Sequence, residues 1–390
     1  MKLLGTMPDP KVKFKPYILA ASEDPAPFDS VPGIGFNSNA AAAAIVPPAG
    51  KVTGSGAALA VDPAQNNAFR AINRAWKQGG SVQYLAGSPG TGARFVISGL
   101  TEAAQTELVN SLALSAERTA PNGTPVKKPR IGLYQQWGGS MDAGWTQWLL
   151  EQYGFDFVIL RPEDFHSSLR DKVDVILFAD DARLPGVAEP GRGGRGGGPG
   201  GRGAGAGREV RPEYAYSLTA DDLKGLETFV RAGGTLVCFN GSCRFAIRQF
   251  KLPVKNVLEG LKPEEAVKPE EYFLRGSIVE VATDPTHAVM AGMLEKAPVF
   301  SDSSPVFETL GGFKGKVLAK YQETGSPLLS GYLIGEKFLQ GKAAALDVEL
   351  ENGHIVLIGF RPQWRCQSFA TFRVVFNSAL YAQPGAPLVP

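Results

Sequence analysis

From residue 130 onward the chain alternates short apolar runs with amphipathic stretches, and few folds accommodate that rhythm. Residues 130–135, 157–160, 173–178 and 235–239 read as strands with apolar side chains on both faces. Residues 141–153 and 219–232 read as helices between them, with Trp145, Trp148, Leu149 and Gln152 sharing one face of the first. In the second, Leu223, Leu226, Phe229 and Val230 turn inward, Thr219 with Asp222 forms an N-terminal cap, and Gly233-Gly234 ends the helix. A strand that is apolar on both faces has to be covered on both faces. That requirement predicts an α/β fold over residues 130–382, a parallel sheet with helices on both faces. The later part is richer in strands and turns, at 278–281, 317–321, 343–348 and 354–360, and closes on a helix at 368–381.

A small α/β unit is expected before it, over residues 57–118. It reads as a strand at 57–61, a helix at 67–78 with Phe69, Ile72 and Trp76 in one stripe, and strands at 81–85 and 94–97. Gly87-Ser-Pro-Gly90 makes the turn between those two strands, and a helix at 101–111 opens on Thr101 as its cap. Residues 119–129 read as a polar linker. Residues 1–56, rich in Pro, Gly and Ala, read as an extended lead-in, and 383–390 as a tail. A Gly/Arg-rich stretch at 190–209 interrupts the rhythm. Arg192, Arg195, Arg202 and Arg208 stand there among glycines without the interleaved aromatics that stack on RNA bases, so it reads as a flexible surface loop.

Composition excludes several classes. The 40 Lys and Arg against 38 Asp and Glu leave a net charge of +2, which gives no reason to expect nucleic acid or an anionic membrane as a partner. The longest purely apolar run, 40–46, is far short of the ~20 residues of a membrane helix. The first residues, with one Lys, a short apolar pair and then Pro8 and Pro10, do not read as a secretory signal. Cys238, Cys243 and Cys366 are too few for a disulfide framework. His166, His287 and His354 form no His-x-x-Glu or His-Glu-x-x-His pattern, so no metal and no cofactor are expected on this chain. His287 reads as satisfying a backbone carbonyl and His166 as a surface residue.

Candidate chemistry concentrates where Thr235-Leu-Val-Cys-Phe-Asn240-Gly-Ser-Cys-Arg-Phe carries a buried strand through a turn into a helix. A nucleophile elbow has this form, which makes Cys243 the candidate nucleophile and Ser242 the second. Against it, Phe245 stands where Gly-x-Cys-x-Gly has its last glycine. No histidine lies in the turn after the 354–360 strand to act as base, since His354 begins that strand at its far end. Ser88-Pro-Gly-Thr-Gly92 lacks the Lys-Ser/Thr of a phosphate loop and reads as a hairpin turn. Ligands of doubly wound folds sit beyond the carboxyl ends of the strands, which here supply a candidate binding rim of Gln136, Trp137, Asp142, Asn240, Arg361, Gln363 and Trp364. Trp137 and Trp364 either recognise a ligand or pack together as a lid.

Several motifs resemble the region after the peptidase domain in large bacterial zinc-carboxypeptidase-family proteins. They are Arg130-Ile-Gly-Leu-Tyr-Gln, Met141-Asp-Ala-Gly-Trp-Thr-Gln-Trp148, Gly233-Gly-Thr-Leu-Val, Leu252-Pro-Val-Lys-Asn, Pro327-Leu-Leu-Ser-Gly and Ile358-Gly-Phe-Arg-Pro-Gln363. The stretch from Asp62 to Trp76 resembles the piece joining the two regions, and the similarity spans about residues 57–381. The resemblance implies a flavodoxin-like, class I glutamine amidotransferase-like domain following the small unit. It further implies an exported protein with a signal peptide and peptidase domain upstream, and zinc held only in that missing domain. The expectation is therefore a non-catalytic accessory or substrate-positioning module that binds polypeptide or a peptidase domain. The alternatives are a thiol amidohydrolase using Cys243 and a stand-alone peptide- or glycan-binding scaffold.

Overall fold

The structure is a computed structural model that describes residues 50–382 apart from 89, 138, 181, 183 and 186–217. Most of the expected lead-in, the Gly/Arg-rich loop and the tail lie outside the described residues.

The first part comprises β1 (Lys51–Gly54), β2 (Ala58–Val61), α1 (Asn67–Lys77), β3 (Ser81–Leu85), β4 (Arg94–Ser98), α2 (Glu102–Leu112), β5 (Ser115–Thr119) and β6 (Thr124–Pro125). Its sheet runs β1-β5-β2-β4-β3-β6, parallel only between β1 and β5. The hairpin between β3 and β4 closes with Ser88 bridged to Thr91, and the Thr101 hydroxyl accepts from the Ala104 N–H at 3.2 Å to start α2. The expected boundaries need correction at two places. Strand β1 falls in the stretch read as lead-in and β6 in the stretch read as linker. Both are short, largely exposed edge strands, joined by backbone pairing that leaves no apolar alternation to read.

The second part comprises β7 (Ile131–Tyr134), α3 (Met141–Gln152), β8 (Phe157–Leu160), α4 (Leu169–Lys172), β9 (Val175–Phe178), α5 (Ala220–Arg231), β10 (Thr235–Phe239) and α6 (Cys243–Gln249). There follow β11 (Val254–Asn256), β12 (Phe273–Leu274), β13 (Ser277–Thr283), β14 (Lys296–Ser301), β15 (Phe307–Thr309) and β16 (Gly315–Lys320). The chain closes with β17 (Leu328–Ser330), β18 (Leu333–Ile334), β19 (Ala343–Leu350), β20 (Gly353–Ile358) and α7 (Phe372–Leu380). Strands β8-β7-β9-β10-β20 are parallel, in the flavodoxin-like order, and β19, β16, β13 and β14 extend the sheet antiparallel beyond β20.

The period-2 pattern sorts side chains between two cores. Leu133, Val175, Leu177, Val237, Phe239, Val356 and Ile358 face α3, α7 and the first part. Tyr134, Ile176, Phe178, Leu236, Cys238, Ile355 and Leu357 face α4, α5 and α6. Each such side chain contributes about 1.5–3 kcal/mol by leaving water, so two filled faces fix both strand order and register. At the start of β20, Gly353 lies so close to α5 that a Cβ there would meet the Val230 carbonyl oxygen at 1.9 Å.

The first part is seated on the second. Phe376 of α7 meets Phe69 at 4.9 Å, Tyr153 at 4.4 Å and Phe155 at 5.4 Å between ring centroids. Arg70 and Asn73 of α1 donate to the Gln152 and Tyr153 carbonyls at 2.9 and 3.0 Å, satisfying groups that the end of α3 leaves unpaired. The stripe of Trp145, Trp148, Leu149 and Gln152 is not the buried face of α3. Its buried residues are Asp142, Ala143, Thr146, Leu149 and Leu150, while Trp148 is 45% exposed.

Candidate functional site

The carboxyl ends of the parallel strands converge on one buried guanidinium. Arg361, three residues beyond β20 and 7% exposed, places Nη1 at 3.1 Å from Asp142 Oδ2 at the start of α3. Its Nη2 lies 2.5 Å from Asp180 Oδ2, just past β9, and 3.7 Å from Asp302 Oδ2, just past β14. The backbone fixes the arginine as well, since Arg361 N–H donates to the Phe300 carbonyl at 3.0 Å. Three carboxylates thus surround one cation at the sheet edge where doubly wound folds take ligands.

The bend after β10 is made by Asn240, which adopts φ +47° and is 1% exposed. A residue with a Cβ pays about 1–2 kcal/mol in this region, least for Asn and Asp, so the turn needs support. Asp180 supplies it. Asp180 Oδ1 accepts from Asn240 Nδ2 at 2.8 Å and from the Gly241 N–H at 2.5 Å, and Asn240 Nδ2 also donates to the Asp302 carbonyl at 3.2 Å.

Asn240, not a thiol or hydroxyl, therefore stands at the position of a nucleophile elbow, and the expected placement of Cys243 and Ser242 is corrected. Cys243 is the first residue of α6 and is fully buried. Its sulfur lies 3.2 Å from the Cys238 carbonyl and 3.5 Å from that of Ile358. Burial, reinforced by Cys238, pushes the thiol well above its usual range, so no thiolate is available at neutral pH. Ser242, 1% exposed, donates to the Phe178 and Phe239 carbonyls at 3.0 and 2.9 Å. The shift is one of turn geometry: the chain reverses at Asn240, and by residue 243 the helix has turned its side chains back under the sheet.

Of the expected rim, Asp142, Asn240 and Arg361 come together, and Trp364 joins by stacking. Its ring lies 4.5 Å below the Arg361 guanidinium, 5.0 Å from that of Arg365, and 5.5 Å from Phe300 at an interplanar angle of 13°. Gln363, 2% exposed, donates to the Thr146 hydroxyl at 2.8 Å and ties this turn to α3. Gln136 is buried and donates to the Gly139 carbonyl at 3.2 Å. Trp137 lies under Arg161 at 4.3 Å and donates from Nε1 to Glu163 at 2.9 Å. Asp180 and Asp302 were missed. Asp180 follows the strand Val175-Ile-Leu-Phe and was open to the strand-end rule, whereas Asp302 arrives on an antiparallel strand that no local pattern connects to this edge.

The opposite edge of the sheet holds a second buried network. His354 Nδ1 lies 2.8 Å from Asp347 Oδ1, the Tyr381 hydroxyl donates to Asp347 Oδ2 at 2.8 Å, and His287 Nε2 stands 3.4 Å from the same oxygen. Burial would raise the Asp347 carboxyl, but hydrogen bonds from both histidines and their charge bring it down to about 2. His287 is thus paired with a carboxylate, where a carbonyl was expected. Its Nδ1 accepts from the Val289 N–H at 3.3 Å. The adjoining cavity of about 10 Å³ is no larger than one water, and the cluster joins β19 and β20 to Tyr381 at the end of α7. His166 is on the surface, 3.2 Å from Asp222.

Among the described residues no group of three or more His, Cys, Asp or Glu is placed to hold a metal ion, and no helix is long and apolar enough to cross a membrane. No protein-family model and no curated protein matches the chain. Solved structures similar to it include a cytoplasmic protein from Salmonella typhimurium, at 11% identity and a TM-score of 0.37 over 65% of this chain and 98% of that one. A protein described as a GMP synthase subunit, from Thermoplasma acidophilum, is also 11% identical, at 0.37 over 65% and 94%. A ThuA-like protein from Bacteroides uniformis is 10% identical, at 0.35 over 69% and 98%. None of the three is described as a carboxypeptidase, and similarity at this level transfers no role.

Proposed function

We propose that this chain is a non-catalytic binding module, built on a doubly wound sheet, that positions a polypeptide or a partner domain for a zinc-carboxypeptidase-like protein. The observation that carries the non-catalytic part is the occupancy of the elbow. An amide group stands at the bend, and the nearest thiol is bonded to two backbone carbonyls inside the core. Covalent acyl transfer needs an exposed nucleophile beside a base, and neither accompanies Asn240 or Cys243. The carboxypeptidase setting rests on the sequence motifs alone.

The purified chain, assayed on glutamine, peptide amides and carboxypeptidase substrates, should show no turnover with or without added zinc. Turnover that Cys243→Ala abolishes would instead establish the thiol amidohydrolase alternative. For the positioning role, the chain should bind an isolated zinc-carboxypeptidase-type domain in sedimentation or calorimetry, and no association would remove that part of the reading.

A further inference from the structure

A groove of about 880 Å³ opens beside the rim, between α6, the chain following β11 and the segment around β12. Arg244 connects the two, lining the groove while donating to the Ser303 carbonyl next to Asp302 at 3.0 Å. The groove floor is apolar, with Leu252, Val254, Leu258 and Tyr272, and Leu261 and Phe273 reach its mouth 64% and 38% exposed.

Its charge is one-sided. Six cationic side chains line it against one carboxylate, Glu259. Glu259 pairs with Arg244 and Arg248, and Glu265 stands 3.8 Å from Lys255. Lys251, Lys262 and Arg275 have no ion-pair partner among the described residues. The chain as a whole carries only +2, so this concentration is local.

An independent feature lies deeper. Asn256 lines the groove, yet is 5% exposed. Its Oδ1 accepts from Leu258 N–H at 3.3 Å and Val306 N–H at 3.2 Å, which fixes the orientation of the amide. Its Nδ2 is then left buried with no acceptor. A buried donor without a partner is costly, and a carbonyl or carboxylate oxygen entering the groove would satisfy it.

We infer that the groove is a docking site for an acidic polypeptide segment with interspersed apolar side chains. Carboxylates would meet Lys251, Lys262 and Arg275, apolar side chains the leucine floor, and a main-chain carbonyl the Asn256 amide. A single-stranded nucleic acid fits less well, because it stacks its bases on open aromatic faces. Here Tyr272 packs edge-on against Phe338 and Phe273 against Tyr332, and the rest of the floor is aliphatic. The inference deepens the binding-module reading by naming its partner's chemistry, and it rests on that reading.

The test is fluorescence anisotropy on the full chain with a labelled peptide of alternating Glu and Leu, beside the same peptide with Gln for Glu. The acidic peptide should bind more tightly, and added salt should weaken it. The combined Lys251→Glu, Lys262→Glu and Arg275→Glu variant, checked by thermal melting to be folded, should lose about tenfold or more in affinity. Asn256→Asp keeps both acceptor bonds and replaces the donor, and should weaken the peptide at unchanged secondary structure. Equal affinity for the two peptides, no binding of the acidic one, or indifference to the triple variant would overturn the assignment. So would tighter capture of oligothymidylate or of phosphatidylglycerol vesicles through the same three cations. Turnover on amides is a separate readout, so a failed groove leaves the non-catalytic reading standing.

Discussion

Strand β20 has a buried charge network at each end, and the two are built in opposite ways. At its carboxyl end one guanidinium, Arg361, is shared by Asp142, Asp180 and Asp302. At its amino end one carboxylate, Asp347, is shared by His287, His354 and a tyrosine hydroxyl. The first holds three strand ends and the Asn240 bend in place through one guanidinium shared among three carboxylates. The second ties β19 and β20 to the end of α7 through one carboxylate shared by two imidazoles and a phenol. The contrast shows that buried polarity in this fold is tied to two tasks, fixing the strand ends around the Asn240 bend and clamping a closing helix.

The largest effect should come from breaking the first network. Arg361→Met leaves Asp142 and Asp180 buried without their cation and should cost about 3–5 kcal/mol in urea unfolding, with the Asn240 turn loosened. A loss under about 1 kcal/mol would mean the carboxylates are already solvated and the edge is not preorganised.

The second network predicts a pH signature. The folded Asp347 value of about 2 lies below the ordinary carboxylate value of ~3.9, so its contribution is complete above ~4 and disappears as pH falls toward 2. That contribution is about 2–3 kcal/mol, and unfolding midpoints measured from pH 6 down to 2 should fall accordingly. Asp347→Asn should be destabilised at neutral pH and should lack that segment of the acid slope. An unchanged slope would show that other carboxylates govern acid stability.

A smaller effect separates thiol chemistry from packing. Cys243→Ala should cost about 1 kcal/mol through a small cavity. In the native chain Cys243 should resist iodoacetamide at pH 8 and react only on unfolding, as mass spectrometry of the alkylated peptides would show. Rapid native alkylation at Cys243 would contradict the burial that removes it from the elbow. The smallest effect is expected at Trp148. As the exposed member of α3, its replacement by Ala should change stability by no more than about 0.5 kcal/mol, whereas membership in an inward face would cost several times that in the same urea titration.

The parallel strands were legible because Ile131-Gly-Leu-Tyr134 and Val175-Ile-Leu-Phe178 carry apolar side chains to both faces, a pattern that few other settings tolerate. The caps at Thr101 and Thr219 were legible for a similar reason, since each is closed by residues three positions apart. The face of α3 was misjudged because two tryptophans outweighed the smaller residues that line its true inner stripe. The elbow reading of Cys243, already weakened in the sequence by Phe245 and by the lack of a histidine in the facing turn, loses its remaining support because the chain reverses at Asn240 and residue 243 is buried. The strand-end rule found Asp142, Asn240 and Arg361, but it could not pair Asp302 with Arg361 or His287 with His354. Those pairings cross an antiparallel extension whose order no local signal records.

Local periodicity, capping and turn chemistry act over a few residues, so the chain by itself determined its strands, its helices and its α/β class. Long-range juxtaposition depends on sheet order and crossover path, so only the tertiary structure decided which charges meet. It placed an asparagine at the bend, sealed the thiol beneath the sheet, and gathered two distant histidines on one carboxylate.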